Sequence, residues 1–249
     1  TFNEYQWDVN WSNPNVFCEY ADIVANLANH GVDCLRLDAI AFIWKRLGTN
    51  CQNQDEVHAI TQALRSFTRI FAPSMIFKAE AIVGPAQVGA YLGEGERAGK
   101  VSDLAYHNSL MVQIWSAIAS KDTHLLELAM SRFKAIPTSS AWGIYIRCHD
   151  DIGLGYDDWM IEQAGYNPYD HRSYIKNYYS GGIDSPAKGA LFAVNPKTQD
   201  ARLSGSLASL CGLEKALASK EAKAIQTSID KITLMQAQSM FVGGVPMLF

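Results

Sequence analysis

Apolar residues recur at three- and four-residue steps between Pro14 and Leu27, at Val16, Tyr20, Ile23, Val24 and Leu27, and His30-Gly31 follows as a stop. That spacing puts them on one face and predicts an amphipathic helix. Val32 to Asp38 is short and apolar, with its charge gathered at the far end, which predicts a buried strand. The pattern then repeats. Val57, Ile60, Leu64, Phe67 and Phe71 mark a second helix closed by Pro73, and Ser74 to Glu80 is a second strand ending in a carboxylate. A short helix around Ala86 to Leu92 leads through a glycine-rich loop to a strand near Val101 to Tyr106. One long helical stretch is expected from about Asn108 to Phe133. Trp142 to Asp150 is a third apolar strand that delivers an acid at its end. Ile225, Ile229, Ile232 and Met235 define a last helix, and Val245 to Phe249 a last strand.

Helices and strands alternate, which predicts an α/β fold with a parallel sheet. The exception is 151–213, dense in Gly, Pro, Asn and Tyr and without a sustained period, which reads as an insertion. Three segments follow: 1–150 as the first part of the alternating α/β unit, 151–213 as an inserted small domain or long loop region, and 214–249 as the alternating unit continued. For any single tyrosine of the insertion, packing in its own small core is a better expectation than stacking on a ligand.

At 249 residues, 48% hydrophobic and 18% charged, the chain has enough apolar surface for a sizeable core. A net charge of -4 with scattered basic residues supplies no field for polyanions or anionic lipid, so nucleic acid and membranes are not expected partners. No apolar stretch reaches the roughly 18 residues of a spanning helix. The five cysteines are widely spaced without a C-x-x-C pair, which argues for reduced thiols and a cytoplasmic protein rather than a disulfide framework or zinc site. Secretion stays open, because the chain begins at Thr1 and ends in an apolar run, both expected of a longer protein cut at its two ends. The six histidines show no metal-ligand spacing and there is no calcium loop, so no cofactor and no metal are implied. Gly93 to Ala98 matches a loose dinucleotide fingerprint but leads into a strand instead of opening a helix. Asn10-Trp11-Ser12 is a formal glycosylation acceptor with meaning only in a secreted protein.

Parallel strands deliver their C-terminal residues to one face of a β/α barrel, so Asp38, Glu80 and Asp150 are expected to share a pocket. Retaining glycoside cleavage uses two carboxylates about 5 to 5.5 Å apart, one ionised to attack and one protonated to release the leaving oxygen. Asp38 and Glu80, from neighbouring strands, fit those roles, and Asp150 would stabilise the oxocarbenium-like transition state. Arg36 is two residues before Asp38, hence on the same side of the strand, where its charge would hold a nucleophile ionised. Lys78 has the same offset from Glu80, which conflicts with a residue that must carry a proton. Any single strand-end acid is more often a turn or capping residue, so the weight rests on all three together.

The local text around these acids resembles glycoside hydrolase family 13, the α-amylase superfamily: Gly31 to Ala39 its nucleophile strand, Phe77 to Ala81 its acid/base strand, His149-Asp150 its stabiliser motif. Within the family the resemblance is strongest to amylosucrase and related sucrose-active enzymes, over Phe2 to Pro14, Ala41 to Lys45, Gly48 to Cys51, His149 to Gly153, Tyr169 to Arg172 and Ser204-Gly205. Trehalose synthases and sucrose-phosphorylase-like enzymes share part of this text. The resemblance implies a partial (β/α)8 TIM barrel of about strands 4 to 8, with a small domain inserted after strand 7. It makes Asp38 the nucleophile, Glu80 the acid/base and Asp150 the stabiliser, with Arg36, His149, Asp151 and Phe42 as substrate-binding residues. It further implies a retaining enzyme, amylosucrase-like, that takes glucosyl units from sucrose to extend α-glucan through a covalent β-glucosyl-enzyme. Alternatives are a sucrose or α-glucoside hydrolase or amylase of the same family and, more remotely, a non-catalytic carbohydrate-binding barrel. Tyr169 to Arg172 reads equally as site or as loop-anchoring ion pair. Strands one to three and an early Asp-and-His substrate motif of the family are missing, so the rest of its own polypeptide is an expected partner and the span alone is expected to be inactive.

Overall fold

The computed structural model describes residues 5–154 and 156–249. The Phe2 to Glu4 part of the N-terminal family-like stretch lies outside them. The chain divides into two compact units, 1–106 with 134–143, and 107–133 with 144–249.

The first unit is built on a parallel sheet in the order β1 (Cys34–Leu37), β2 (Ile76–Ala79), β3 (Leu104–Tyr106) and β4 (Ala141–Ile144). Helix α1 (Pro14–Asn29) precedes β1, and α2 (Asp55–Phe71) precedes β2. A 3₁₀ turn at Ile40–Phe42 follows β1, and the single-turn α3 (Pro85–Val88) with a 3₁₀ turn at Gly89–Tyr91 follows β2. Asn13 starts α1 because its side-chain oxygen accepts the Asn15 N–H at 3.0 Å, and Pro14 costs nothing in a first turn whose N–H groups have no helical partner. The inner faces only partly coincide with the apolar stripes of the sequence: Val24, Val57 and Leu64 are buried, but Tyr20 and Ile23 of α1 and Phe67 and Phe71 of α2 are exposed. Ala21 and Val24 of α1, Leu64 of α2, and Met75 and Phe77 form one buried cluster. Phe77 is fully buried, worth about 2–3 kcal/mol in area removed from water.

Polar groups pin the same sheet. Asp103, just before β3, accepts the Phe77 N–H at 2.9 Å and ion-pairs with Arg69 at 2.7 Å and with Arg65, both on α2. A buried carboxylate is tolerated because backbone and guanidinium donors surround it. Burial raises its pKa, but the bonds from Arg65 and Phe77 and the charges of Arg65 and Arg69 outweigh that and hold it below the ordinary aspartate value.

The second unit opens with α4 (Asn108–Ser120) and α5 (His124–Met130). The single long helix expected here is two, because Lys121 adopts a left-handed φ of 59° and its N–H closes on the Ala117 carbonyl at 2.8 Å. The unit continues through β5 (Ile152–Gly153), α6 (Asp158–Gln163), α7 (Pro168–Ser180), β6 (Ala190–Phe192), β7 (Arg202–Ser204), α8 (Leu207–Cys211), α9 (Leu213–Ser219), α10 (Ala222–Phe241) and β8 (Val245–Pro246). β5, β7 and β6 form a small antiparallel sheet in that order. Residues 151–213, read as aperiodic, thus hold a 13-residue helix, α7, whose buried face is His171, Arg172, Ile175 and Tyr179. The helical spacing is present, but a histidine and an arginine on the inner face mask it. Tyr179 and Tyr156 are core residues, as expected of most tyrosines there, while Tyr169 and Tyr174 are exposed. Trp115 anchors this core. Its Nε1 donates to the Ile146 carbonyl at 2.9 Å, and its ring meets Tyr179 edge-on at 5.3 Å between centroids.

The strand expected over Trp142 to Asp150 ends at Ile144. The cause is Arg147, whose guanidinium donates to the carbonyls of Cys148, at 2.6 Å, and Asp150 and, through Nε, to that of Gly205 at 2.6 Å. A side chain that satisfies those carbonyls curls the chain out of the ladder. The final strand is likewise shorter than Val245 to Phe249, with the Met247 N–H donating to the Ile144 carbonyl at 2.7 Å. No disulfide joins the five cysteines. No helix among the described residues is long and apolar enough to cross a membrane.

Candidate active site

Asp38 and Glu80 are each the residue immediately after a strand, β1 and β2. Those strands pair in parallel with Leu37 opposite Ala79, and the Glu80 N–H donates to the Leu37 carbonyl at 3.1 Å, so both acids leave the sheet at one level. Neighbouring strands lie about 4.8 Å apart, which sets the scale of their separation.

Arg36 joins them. Its Nη1 is bonded to Asp38 Oδ1, and its Nη2 lies 2.8 Å from Glu80 Oε1. Period-two alternation sends Arg36 and Asp38 to the same side, and the parallel register brings Glu80 to the same guanidinium. Burial disfavours the Arg36 charge, yet Glu80 beside it and the bond to Asp38 outweigh that and keep it more firmly protonated than usual. The other oxygen of Glu80 accepts the Ala39 N–H at 2.7 Å, from a residue whose left-handed φ of 47° turns that N–H toward β2. Glu80 is thereby held by two donors and is 14% exposed, whereas Asp38 is 73% exposed. One carboxylate is fixed and shielded and the other is open to an incoming molecule.

The cation that meets Glu80 at 2.8 Å is Arg36, from the neighbouring strand. The Lys78 ammonium lies 4.6 Å from the centroid of the Tyr106 ring. Tyr106 closes β3 one register step from the Ala79–Ala105 pair, level with Glu80. A tyrosine at a strand end carries no local signal that separates it from an ordinary strand residue. In the same unit, a cavity of about 740 Å³ is lined by Asp8, Val9, Asn10, Phe42, Lys45, Asn50 and Cys51. Lys45 ties its walls together, paired with Asp8 at 3.0 Å and bonded to the Phe42 carbonyl at 2.6 Å.

The other expected site residues belong to the second unit. Asp150 is six residues past the end of β4, and its Oδ2 lies 3.4 Å from His149 Nε2. Asp151 pairs with Arg202 of β7 at 2.7 Å. In the Tyr169 to Arg172 motif the anchoring alternative holds: Arg172, 5% exposed, pairs with Asp158 and, at 2.9 Å, with Asp200.

No family model matches the chain. Trehalose synthase/amylase of Mycolicibacterium smegmatis is 33% identical over 153 residues, which are 61% of this chain and 26% of that protein. Glucosylglycerate phosphorylase of Escherichia coli is 30% identical over 155 residues, 62% of this chain and 27% of its own length. This chain is a homologue of the glycoside hydrolase family 13 enzymes. It spans only about a quarter of the length of these relatives. Among solved structures, sucrose 6F-phosphate phosphorylase from Thermoanaerobacter thermosaccharolyticum superposes with a TM-score of 0.65 at 16% identity, covering 91% of this chain and 39% of that one. That likeness shows the fold, the α/β barrel architecture of the family, of which this homologue carries parallel strands and their helices.

Proposed function

We propose that this family 13 homologue carries the cleavage machinery of a retaining α-glucoside-active enzyme. The single observation behind the reading is the Arg36 guanidinium shared by Asp38 and Glu80 at the ends of two adjacent parallel strands. A double-displacement mechanism uses two carboxylates about 5 to 5.5 Å apart, comparable to the spacing of about 4.8 Å between neighbouring strands. Asp38, exposed and held by Arg36, attacks the anomeric carbon. Glu80 gives its proton to the departing oxygen and later takes one from the acceptor. Asp150, with His149, is the proposed transition-state stabiliser. Phe42 and Asp151 are proposed to contact substrate, and 151–213 to form a small domain inserted after strand 7 that shapes the acceptor channel.

Glu80 needs a proton at the moment of cleavage, while Arg36 and the Ala39 N–H both donate to it in the free protein. In the proposed cycle the substrate's glycosidic oxygen displaces one of these donors, so Glu80 changes partner as it binds.

On donor and acceptor, the reading is amylosucrase-like transfer from sucrose to α-glucan. The trehalose synthase relatives favour a second possibility, return of the glucosyl unit to the released sugar to give an isomer. Incubation with sucrose, trehalose and glucosylglycerate, followed by product analysis, separates chain growth, isomerisation and hydrolysis. Asp38→Ala and Glu80→Gln should each lower turnover at least ~10³-fold. Unchanged turnover in either variant ends the role proposed for that residue, and binding of these sugars without any turnover by the wild type favours the binding barrel.

A further inference from the structure

Outside the acid pair, a second cleft in the second unit has a composition that the proposed function leaves unused. Helices α9 and α10 are joined by Lys220 and Glu221, and the groove between them has a volume of about 510 Å³. On α10, Lys223, Thr227 and Lys231 recur every four residues and so share one face, with Ala224 and Ser228 beside them. On α9, Lys215 and Ser219 have the same spacing. All seven line the groove. Ala216 and Ala224 leave its floor open, since neither projects beyond a methyl group.

The groove is built, not a chance depression. Gly212 turns α8 into α9 at a φ of 96°, and a Cβ there would lie 2.6 Å from Pro186 Cβ, so only glycine lets the segment at Pro186 close one wall. The Lys215 ammonium is fixed to that wall by the Ser185 carbonyl at 3.0 Å.

The charge balance points to the occupant. Three lysines face one carboxylate, Glu221. Neighbouring acids are engaged elsewhere: Glu214 pairs with Lys188, and Asp230 accepts from Gln226 at 2.8 Å. Lys223 and Lys231 have no carboxylate within ion-pair distance among the described residues. Like charges gathered on two facing helix surfaces repel, an arrangement that an anion placed between them relieves. Thr227 adds a hydroxyl donor to the lining, while that of Ser219 is spent on the Ala216 carbonyl at 3.0 Å. Compact ammonium groups with a hydroxyl suit a phosphate, and the volume exceeds what inorganic phosphate needs.

We infer that the α9–α10 groove binds the phosphate group of a small phosphorylated sugar, separately from the site where glycosidic bonds are cleaved. The inference stands whether or not Asp38 and Glu80 prove active, because its readout is binding. Titration of the 249-residue protein at low ionic strength, by calorimetry and by ³¹P line broadening, would use inorganic phosphate, a hexose phosphate and glucose. Saturable binding of the hexose phosphate, tighter than inorganic phosphate and weakened by added salt, is expected. The double variant Lys223→Gln/Lys231→Gln should bind it at least about tenfold more weakly with an unchanged melting curve, and Lys223→Arg/Lys231→Arg should retain it. Saturable binding of inorganic phosphate alone, equal binding by the glutamine variant, or no saturable binding would each overturn the inference.

Discussion

Arg36 and Glu80 face each other across two adjacent parallel strands, Nη2 to Oε1 at 2.8 Å, while the same guanidinium holds Asp38. Such a planar fork sets the orientation of both carboxylates at once, which a lysine, with one point charge, does not do. If the proposed function holds, Arg36→Lys should therefore lower kcat/KM on an α-glucoside substrate by about 10²-fold or more. Near-UV circular dichroism should stay unchanged, separating loss of positioning from loss of fold.

Asp103 makes a claim about acid stability. Its folded pKa lies below the ordinary aspartate value, so the unfolded chain binds a proton at higher pH than the native one. The stability it contributes is present above about pH 4 and is lost as pH falls through the native value. Asp103→Asn should cost about 2–4 kcal/mol at pH 7, since Arg65 and Arg69 would keep their charges without a counterion. Urea melts over a series from pH 7 down to pH 2 should show the difference between wild type and variant shrinking as the pH falls below about 4.

Histidines act in a higher window. Burial lowers His107 to about 4, and burial with the nearby Arg172 charge lowers His171 to about 4. Both are neutral in the folded protein while the unfolded chain titrates near 6.5. Stability is therefore undiminished above pH 6.5 and falls between pH 6.5 and about 4, by at most roughly 3 kcal/mol for each. His171→Gln, which can still bond Ser116, should flatten this slope, as read from melting midpoints at pH 7 and pH 5.

Gly189 is needed for space, not for an unusual backbone angle. A Cβ there would meet Leu203 Cδ1 at 2.7 Å, the Tyr179 carbonyl at 2.8 Å and Leu210 Cδ2 at 2.9 Å. Gly189→Ala should destabilise the protein by about 1–3 kcal/mol, and Leu203→Val alongside it should recover part of the loss. Chemical denaturation of the two single variants and the double variant checks this.

What was legible in the linear chain was whatever local periodicity encodes. The existence of α1, α2 and α10, and the short apolar runs that place Asp38 and Glu80 directly after parallel strands, could be read from spacing along each segment, whereas the buried face could not: Tyr20, Ile23, Phe67, Phe71 and Ile229 of the expected faces are exposed. The partner of each charge could not be read that way. Arg36 was expected to serve Asp38 and proves common to Glu80, and Lys78 lies over Tyr106, because strand register, not sequence distance, decides which side chains share a row. The same holds where polar residues replace apolar ones. His171 and Arg172 hid the buried face of α7, and Arg147, reading as one more strand residue, ends the run short of Asp150 by satisfying carbonyls that a neighbouring strand would otherwise take. Spacing along one segment specifies the elements. The long-range hydrogen bonds and ion pairs that only assembly brings together decide how those elements end and which charges they share.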